Sequence, residues 1–503
     1  MDSITYQYLT FETLLPHPSQ LLPTGADESR APVPTDLAQY ASPLTWSRVR
    51  KHTIIALSCL CSTVVCYAAG AYDAALESFT TQWDVTRTVV TLGITTFTVG
   101  FGIAPMILAP FSELNGRKPV FVVTGIIFFV AQLGCALTTS FPGLLVARLF
   151  VGIGGSSFSS TIGGVIGDIY ARQERNTPMA LFTGSALFGT GLGPLVSGFV
   201  AQRADWRWVF WVQVVTCGVS ILLVILLFDE TRGSVILSRK ARALNTWYEL
   251  REKAGLVDVG IPLDETGSVH GTLRIRWKVQ SDELRTSLAQ VLGISLYRPF
   301  QLLVTEPVVF LFSLWAAFSW AVLYLTFSIV PLVFTTNHHF NLEQNGAVFA
   351  AMCTGSLIAT VIGCFQDNIL AACYRRVPST PEGRLYPSSV QSALLPIALF
   401  WFAGTLAPSV HWTLPTLAIG CATMGLFSIY LAVFNYLTDT YGPYASSALA
   451  AQSFCRNMFA GTFPLFAEAM FRRLTFAGAS SLLGGISLLL TMVPWALIFY
   501  GPK

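Results

Sequence analysis

Twelve apolar runs, each about as long as a bilayer core is thick, decide what this chain can fold into. They cover roughly Thr53–Tyr72, Thr88–Pro110, Pro119–Thr138, Leu144–Gly167, Met179–Ala201, Trp208–Phe228, Val308–Phe334, Ala347–Phe365, Ser389–Leu406, Leu414–Tyr436, Ser446–Phe466 and Ala477–Tyr500. About 20 apolar residues cross the hydrocarbon layer as a helix. Within that layer only helices and closed barrels satisfy their own backbone. No period-2 alternation runs through the segments, so a barrel is out and an all-α protein of twelve spanning helices remains. Composition agrees. Of 503 residues 53% are hydrophobic and 11% charged, against about 25% charged in soluble domains. These figures exclude a disordered chain, a nucleic-acid binder and an ordinary cytosolic enzyme.

The runs are grouped. A polar, proline-containing tail occupies 1–50 and is expected to be disordered. Six runs lie within 51–228, a polar stretch fills 229–300, and six more runs lie within 301–503. Two such halves are the plan of a secondary transporter built from related repeats. No basic n-region leads into a short apolar stretch, so the first span is expected to serve as its own insertion signal. Inside the polar stretch, Val235, Ile236, Leu237, Leu244, Trp247 and Leu250 are spaced as one face of a helix, expected to lie along the membrane surface. With the N-terminus inside, 23 of the 30 Lys and Arg residues fall on the inner side, and only Arg87, Arg203, Arg207, Arg472 and Arg473 on the outer. That bias places both termini in the cytoplasm. Nine of the ten cysteines sit in apolar segments, none in CxxC spacing, which suits buried free thiols and argues against zinc or a structural disulfide.

Five short segments carry more information. Between the second and third runs stands Ala109-Pro-Phe-Ser-Glu113-Leu-Asn-Gly116-Arg117-Lys118. A turn glycine with an acid before it and two bases after it allows pairing across the turn or with a neighbouring helix end, and it also anchors a cytoplasmic loop. The fourth run contains Arg148-Leu-Phe-Val-Gly152-Ile-Gly154. A charge at mid-membrane costs about 3 kcal/mol to insert, so Arg148 faces protein or water and marks function by default. The alternative is an arginine satisfied by helix carbonyls. The fifth run contains Gly189-Thr-Gly-Leu-Gly193-Pro194-Leu-Val-Ser-Gly198. Glycines four apart allow close helix approach, and the proline bends the helix. Trp206-Arg207-Trp208-Val-Phe210-Trp211 opens the sixth run, and Glu230-Thr231-Arg232 follows it.

Together these segments resemble the signatures of the major facilitator superfamily, and within it the fungal twelve-span drug:proton antiporters. Departures are mild: Ala109 stands for a glycine, Glu113 for an aspartate and Ser197 for a glycine. The resemblance runs from about Pro43 to the C-terminus. It implies two six-helix halves, with spans one, four, seven and ten around a cavity. Candidate cavity residues are then Tyr67, Trp320, Tyr324, Phe327, Tyr430 and Asn435. Aromatic walls with few polar groups suit an apolar or amphipathic ligand. The alternative is that these rings pack against lipid or neighbouring helices. Arg456, in span eleven, is expected in a structural network, because the resemblance puts that span between the halves. Carboxylates lie near span ends, and Asp73 is the first choice as proton carrier. No ATP-binding loop or metal-spacing cluster appears, so no cofactor is expected and a proton gradient is the energy source. The resemblance thus implies an exporter of drugs, toxins or secondary metabolites, expected to act as a monomer in the plasma membrane, with a small molecule and the bilayer as its partners. A proton-coupled importer of a nutrient or a polyamine and a non-transporting sensor remain as alternatives.

Overall fold

The computed structural model describes residues 4–13, 15, 36–253, 259–262, 269–283, 288–366, 381–441 and 444–500. Arg375, Arg376, Lys503 and nearly half of the tail lie outside these residues. Among the described residues eleven helices are long and apolar enough to cross a membrane: Arg48–Trp83, Arg87–Asn115, Arg117–Leu137, Phe141–Ile169, Asn176–Arg203 and Arg207–Leu227, then Pro307–His338, Leu342–Cys364, Leu385–Gly404, Thr413–Tyr441 and Phe476–Phe499. A further helix, Ala445–Leu474, packs among them as the eleventh span. It is too polar for that group, carrying Gln452, Ser453, Arg456, Asn457 and Glu468. A helix enclosed by neighbours has little lipid to face and tolerates such residues. Numbered in chain order, these are spans one to twelve.

The halves meet along two seams, span two on span eleven and span five on span eight. On the face away from the 229–306 segment the seams are pinned. Arg87 pairs with Glu468 at 3.6 Å and Arg203 with Glu343 at 2.6 Å. On the face bearing that segment, hereafter the basic face, Arg172 reaches Asp439 at 3.1 Å.

Span one is not one regular helix. After Gly70 it tightens into a 3-10 turn over Ala71–Ala75 and resumes at Leu76. Span four is broken at Thr161. Such interruptions in a spanning helix need neighbours to satisfy the freed backbone, and both lie against the protein interior.

Two sequence expectations are corrected outside the spans. The 1–50 tail is not disordered throughout. Strand β1 (Thr5–Tyr8) pairs in parallel with a strand of the central segment, Ile275–Lys278, which follows the hairpin of β2 (Val259–Pro262) and β3 (Val269–Leu273) and is therefore β4. The apolar face expected on the membrane does form a helix, Gly233–Lys253. Its Leu244 and Trp247 are instead covered by Leu9, Ile275 and Trp277 in a small core of their own. Protein satisfies that face as well as lipid would, and the strands supply it. Glu252 closes this unit by accepting hydrogen bonds from Arg274 and Arg276 at 2.9–3.0 Å.

Candidate functional site

The turn at Gly116 organises the basic face. Its φ of +104° suits glycine, and a side chain there would also strike the carboxylate of Glu230. Glu230 is buried at the N-terminus of span three, where it accepts from the backbone N–H of Arg117 (2.8 Å), Lys118 (3.2 Å) and Arg232 (2.9 Å). A carboxylate there meets the unpaired donors and the positive end of the helix. The Arg117 side chain is buried and donates to Asp168 of span four at 3.3 Å and to Ser112 at 2.6 Å. Arg232 reaches the other Asp168 oxygen at 3.3 Å. Of the two pairings the sequence allows, the one with a neighbouring helix end is the closer: Glu113, across the turn, stands 4.0 Å from Arg117 and is more than a third exposed. The loop therefore joins spans three and four and the start of the central segment through Asp168 and Glu230. Glu230 was visible in Glu230-Thr231-Arg232, but nothing local tied it to Gly116.

Arg148 is fully buried. Its Nε donates to the Gly93 carbonyl (3.2 Å) and its Nη1 to the Ala68 carbonyl (3.0 Å), and its guanidinium lies 4.7 Å from the rings of Tyr72 and Phe97. It braces spans one, two and four and does not line the cavity; two of its three nitrogens reach helix carbonyls, as in the carbonyl-bonded alternative, while Nη2 is enclosed without an acceptor. Gly152 and Gly154 make this possible. A side chain at the first would strike the Phe97 carbonyl of span two, and at the second the backbone of Phe128 in span three.

Span five packs the same way on two sides. A methyl at Gly189 would strike the Thr63 carbonyl, and one at Gly193 would sit 2.6 Å from the Tyr67 carbonyl, both on span one. Pro194 abuts Gly70, where the regular part of span one ends. Gly198 faces Leu342 and Gly346 of span eight, in the other half.

A cavity of about 620 Å³ lies between the halves and opens at the basic face, where the exposed Arg172 and Gln173 form part of its rim. Its walls come from spans two, four, five, nine, ten and eleven, with Arg117 of span three at the edge. Of the six candidate residues only Tyr430 and Asn435 line it. Tyr67, Trp320, Tyr324 and Phe327 are buried beyond its closed end. Tyr67 shares a 3.3 Å hydrogen bond with Ser197, Trp320 packs on Tyr430 at 5.3 Å, and Tyr324 packs edge-on to Phe327. Spans one and seven therefore seal the cavity in this conformation instead of lining it. Asp73 sits in the 3-10 turn of span one, part-buried between the halves, where its Oδ1 accepts from Ser328 of span seven at 3.3 Å.

Arg456 departs most from expectation. The basic-face half of span eleven forms cavity wall, and Arg456 lines it. Among the described residues no hydrogen bond or ion pair ties it into the expected network. Its guanidinium stacks on Trp320 (4.6 Å) and Tyr430 (4.9 Å), and its Nε and Nη1 are enclosed without an acceptor.

Among the described residues no group of His, Cys, Asp and Glu is arranged to hold a metal, and all nine described cysteines are unpaired thiols.

Comparison with known proteins completes the picture. A sequence model of the Major Facilitator Superfamily matches residues 58–464. "Efflux pump atB" of Aspergillus terreus is 37% identical over 410 residues, which cover 80% of this chain and 81% of that protein. "Multidrug transporter FLR1" of Candida glabrata is 31% identical over 469 residues, 92% and 80% of the two chains. Among solved structures, the partially occluded inward-open xylose transporter XylE of E. coli superposes with a TM-score of 0.60 at 15% identity, covering 89% of this chain and 97% of that one. By architecture, family match and identity to these relatives, the chain belongs to the major facilitator superfamily, in a group with fungal efflux pumps and multidrug transporters.

Proposed function

We propose that this protein exports small, largely apolar organic compounds in exchange for protons, by alternating access of the central cavity. The observation that carries the reading is the cavity itself. At about 620 Å³, closed at one end and lined by Tyr430, Phe434, Tyr436 and Leu449 beside several hydroxyl groups, it falls among small-molecule sites of about 300–1,000 Å³. Direction is taken from the named efflux relatives and from the positive-inside rule, which places the basic face, and so the loading mouth, in the cytoplasm. The plasma membrane is the proposed location, and one chain holds the whole cavity.

Asp73 is the carboxylate we assign to proton carriage, since it lies between spans one and seven, where the halves must part for the opposite face to open. One proton crossing 100 mV releases about 2.3 kcal/mol. A tenfold gradient of a neutral compound costs about 1.4 kcal/mol, so one proton per cycle suffices. Cells making the protein should retain less of an apolar toxicant than matched cells without it, and a protonophore should abolish the difference. Efflux that survives collapse of the proton gradient overturns the coupling. Energy-dependent uptake would replace export with the importer reading.

A further inference from the structure

We propose that the cavity recognises an organic anion, a carboxylate-bearing amphipath, and that Arg456 binds its charge. This rests on the transport reading above and names its substrate class.

The inference starts from an unpaired cation. Arg456 is 3% exposed, yet among the described residues no hydrogen bond or ion pair reaches its guanidinium. Trp320 and Tyr430 hold the guanidinium in place and leave its N–H groups unused. A buried charge without a counter-charge is costly, so such a site favours a ligand that supplies one. One helical turn away and on the same face stands Gln452, 4% exposed, with its amide nitrogen also enclosed and without an acceptor. Both residues line the cavity. Two adjacent groups with unmet donors call for an acceptor-only ligand, and a planar guanidinium matches a carboxylate better than any neutral group.

The remaining charges of the cavity reinforce this. Its walls carry five arginines and three acids. The acids sit toward the mouth and each faces an arginine: Asp168 is held by Arg117 and Arg232, Asp439 by Arg172, and Glu113 lies 4.0 Å from Arg117. Arg456 at the closed end has no such partner. Arg175 also lacks an acid partner, but donates to the Tyr170 and Gly167 carbonyls. A ligand entering from the basic face therefore meets a cavity of net positive charge, in which Arg456 at the far end is the arginine left without an acceptor. Phe434, Tyr436 and Leu449 are available to its apolar body. Among the described residues a cationic amine finds each lining carboxylate already facing an arginine.

The test measures binding to purified protein in nanodiscs with three matched acid and amide pairs, benzoate, 2-naphthoate and dodecanoate against their primary amides, and with 2-naphthylmethylamine. Quenching of tryptophan fluorescence reports occupancy, since Trp320 backs the site. At least one acid should bind about tenfold or more tighter than its amide, the scale of a charge-assisted hydrogen bond, and the amine weakest. Arg456→Gln should equalise acid and amide, Arg456→Lys should keep part of the preference, and Gln452→Leu should weaken the acid alone. Equal binding within all three wild-type pairs overturns the proposal, as does an acid preference that survives Arg456→Gln. Should Arg456→Gln fail to fold, the wild-type pairs and Arg456→Lys decide. Export of a neutral toxicant without any acid preference removes the anion site and leaves efflux standing. Arg456-dependent binding of an acid that cells then accumulate removes efflux and leaves the anion site standing.

Discussion

Gly193→Ala measures how tightly span five must sit on span one. The added methyl carbon would lie 2.6 Å from the Tyr67 carbonyl oxygen, 2.9 Å from the Ala71 nitrogen and 3.0 Å from the Gly70 carbonyl carbon. Ordinary contact begins near 3.4 Å, so the helices must separate by several tenths of an ångström. All three obstacles are backbone, which cannot swing aside as a side chain can. Tilting does not help, because Gly189 meets Thr63 one turn away and Pro194 meets Gly70 beside the site. Overpacking of this kind costs about 1–3 kcal/mol. Alanine's better helix propensity returns up to about 1 kcal/mol. Gly485→Ala, in span twelve, is the matched control, since a methyl there meets nothing within 4 Å. The difference between the two variants isolates the packing term at about 1–3 kcal/mol. Thermal unfolding in detergent, followed with a thiol-reactive dye, reads it directly. Cys61, Cys66, Cys135, Cys217 and Cys353 are buried and react only as the bundle opens. Gly193→Ala should melt below wild type and Gly193→Val lower still with export impaired, while Gly485→Ala should match wild type or exceed it. Equal midpoints for the two alanine variants would refute the reasoning.

Arg148→Ala should reach the membrane, because it removes about 3 kcal/mol of insertion cost, yet lose transport as the brace between spans one, two and four goes. A fluorescent fusion reports delivery and toxicant accumulation reports activity, and normal efflux would reduce Arg148 to packing. In the unit outside the membrane, hydrogen bonds from Arg276 and Arg274 hold the Glu252 carboxyl down at about 2, against an ordinary 4.5. A carboxyl depressed on folding stabilises above its unfolded value, and that contribution fades as pH falls from about 4.5 toward 2. Amide exchange in β4 should therefore stay protected from pH 7 to 5 and weaken below about 4. Glu252→Gln should flatten that profile, and an unchanged profile would remove Glu252 from the unit's stability.

Several site features were half-legible in the sequence. The spacing of Gly189 and Gly193 announced a close helix contact, but that the partner is span one at Thr63 and Tyr67 depends on how two helices are rotated toward each other. Glu113 stood nearest in sequence to Arg117, yet Asp168, in another span, lies nearer in space. The aromatics of spans one and seven were legible as a set. Whether they line a cavity or seal it depends on the conformation, which composition does not encode. Strand β1 was missed because its partner is some 270 residues away, and four residues with alternating burial carry little signal of their own.

What the sequence by itself determined is the set of spanning helices. In lipid a backbone has almost no other way to satisfy its polar groups, so local apolarity suffices: Trp208–Phe228 was read and Arg207–Leu227 is observed. The charged ends of those helices likewise carried the sidedness argument, because that rule acts on each loop separately. What only the tertiary structure decided is which side chains from separate spans share a space. Arg456 was read as part of a network. Only the packing of spans seven, ten and eleven leaves it facing a cavity without a counter-charge, since pairing is a property of neighbours that no single helix contains.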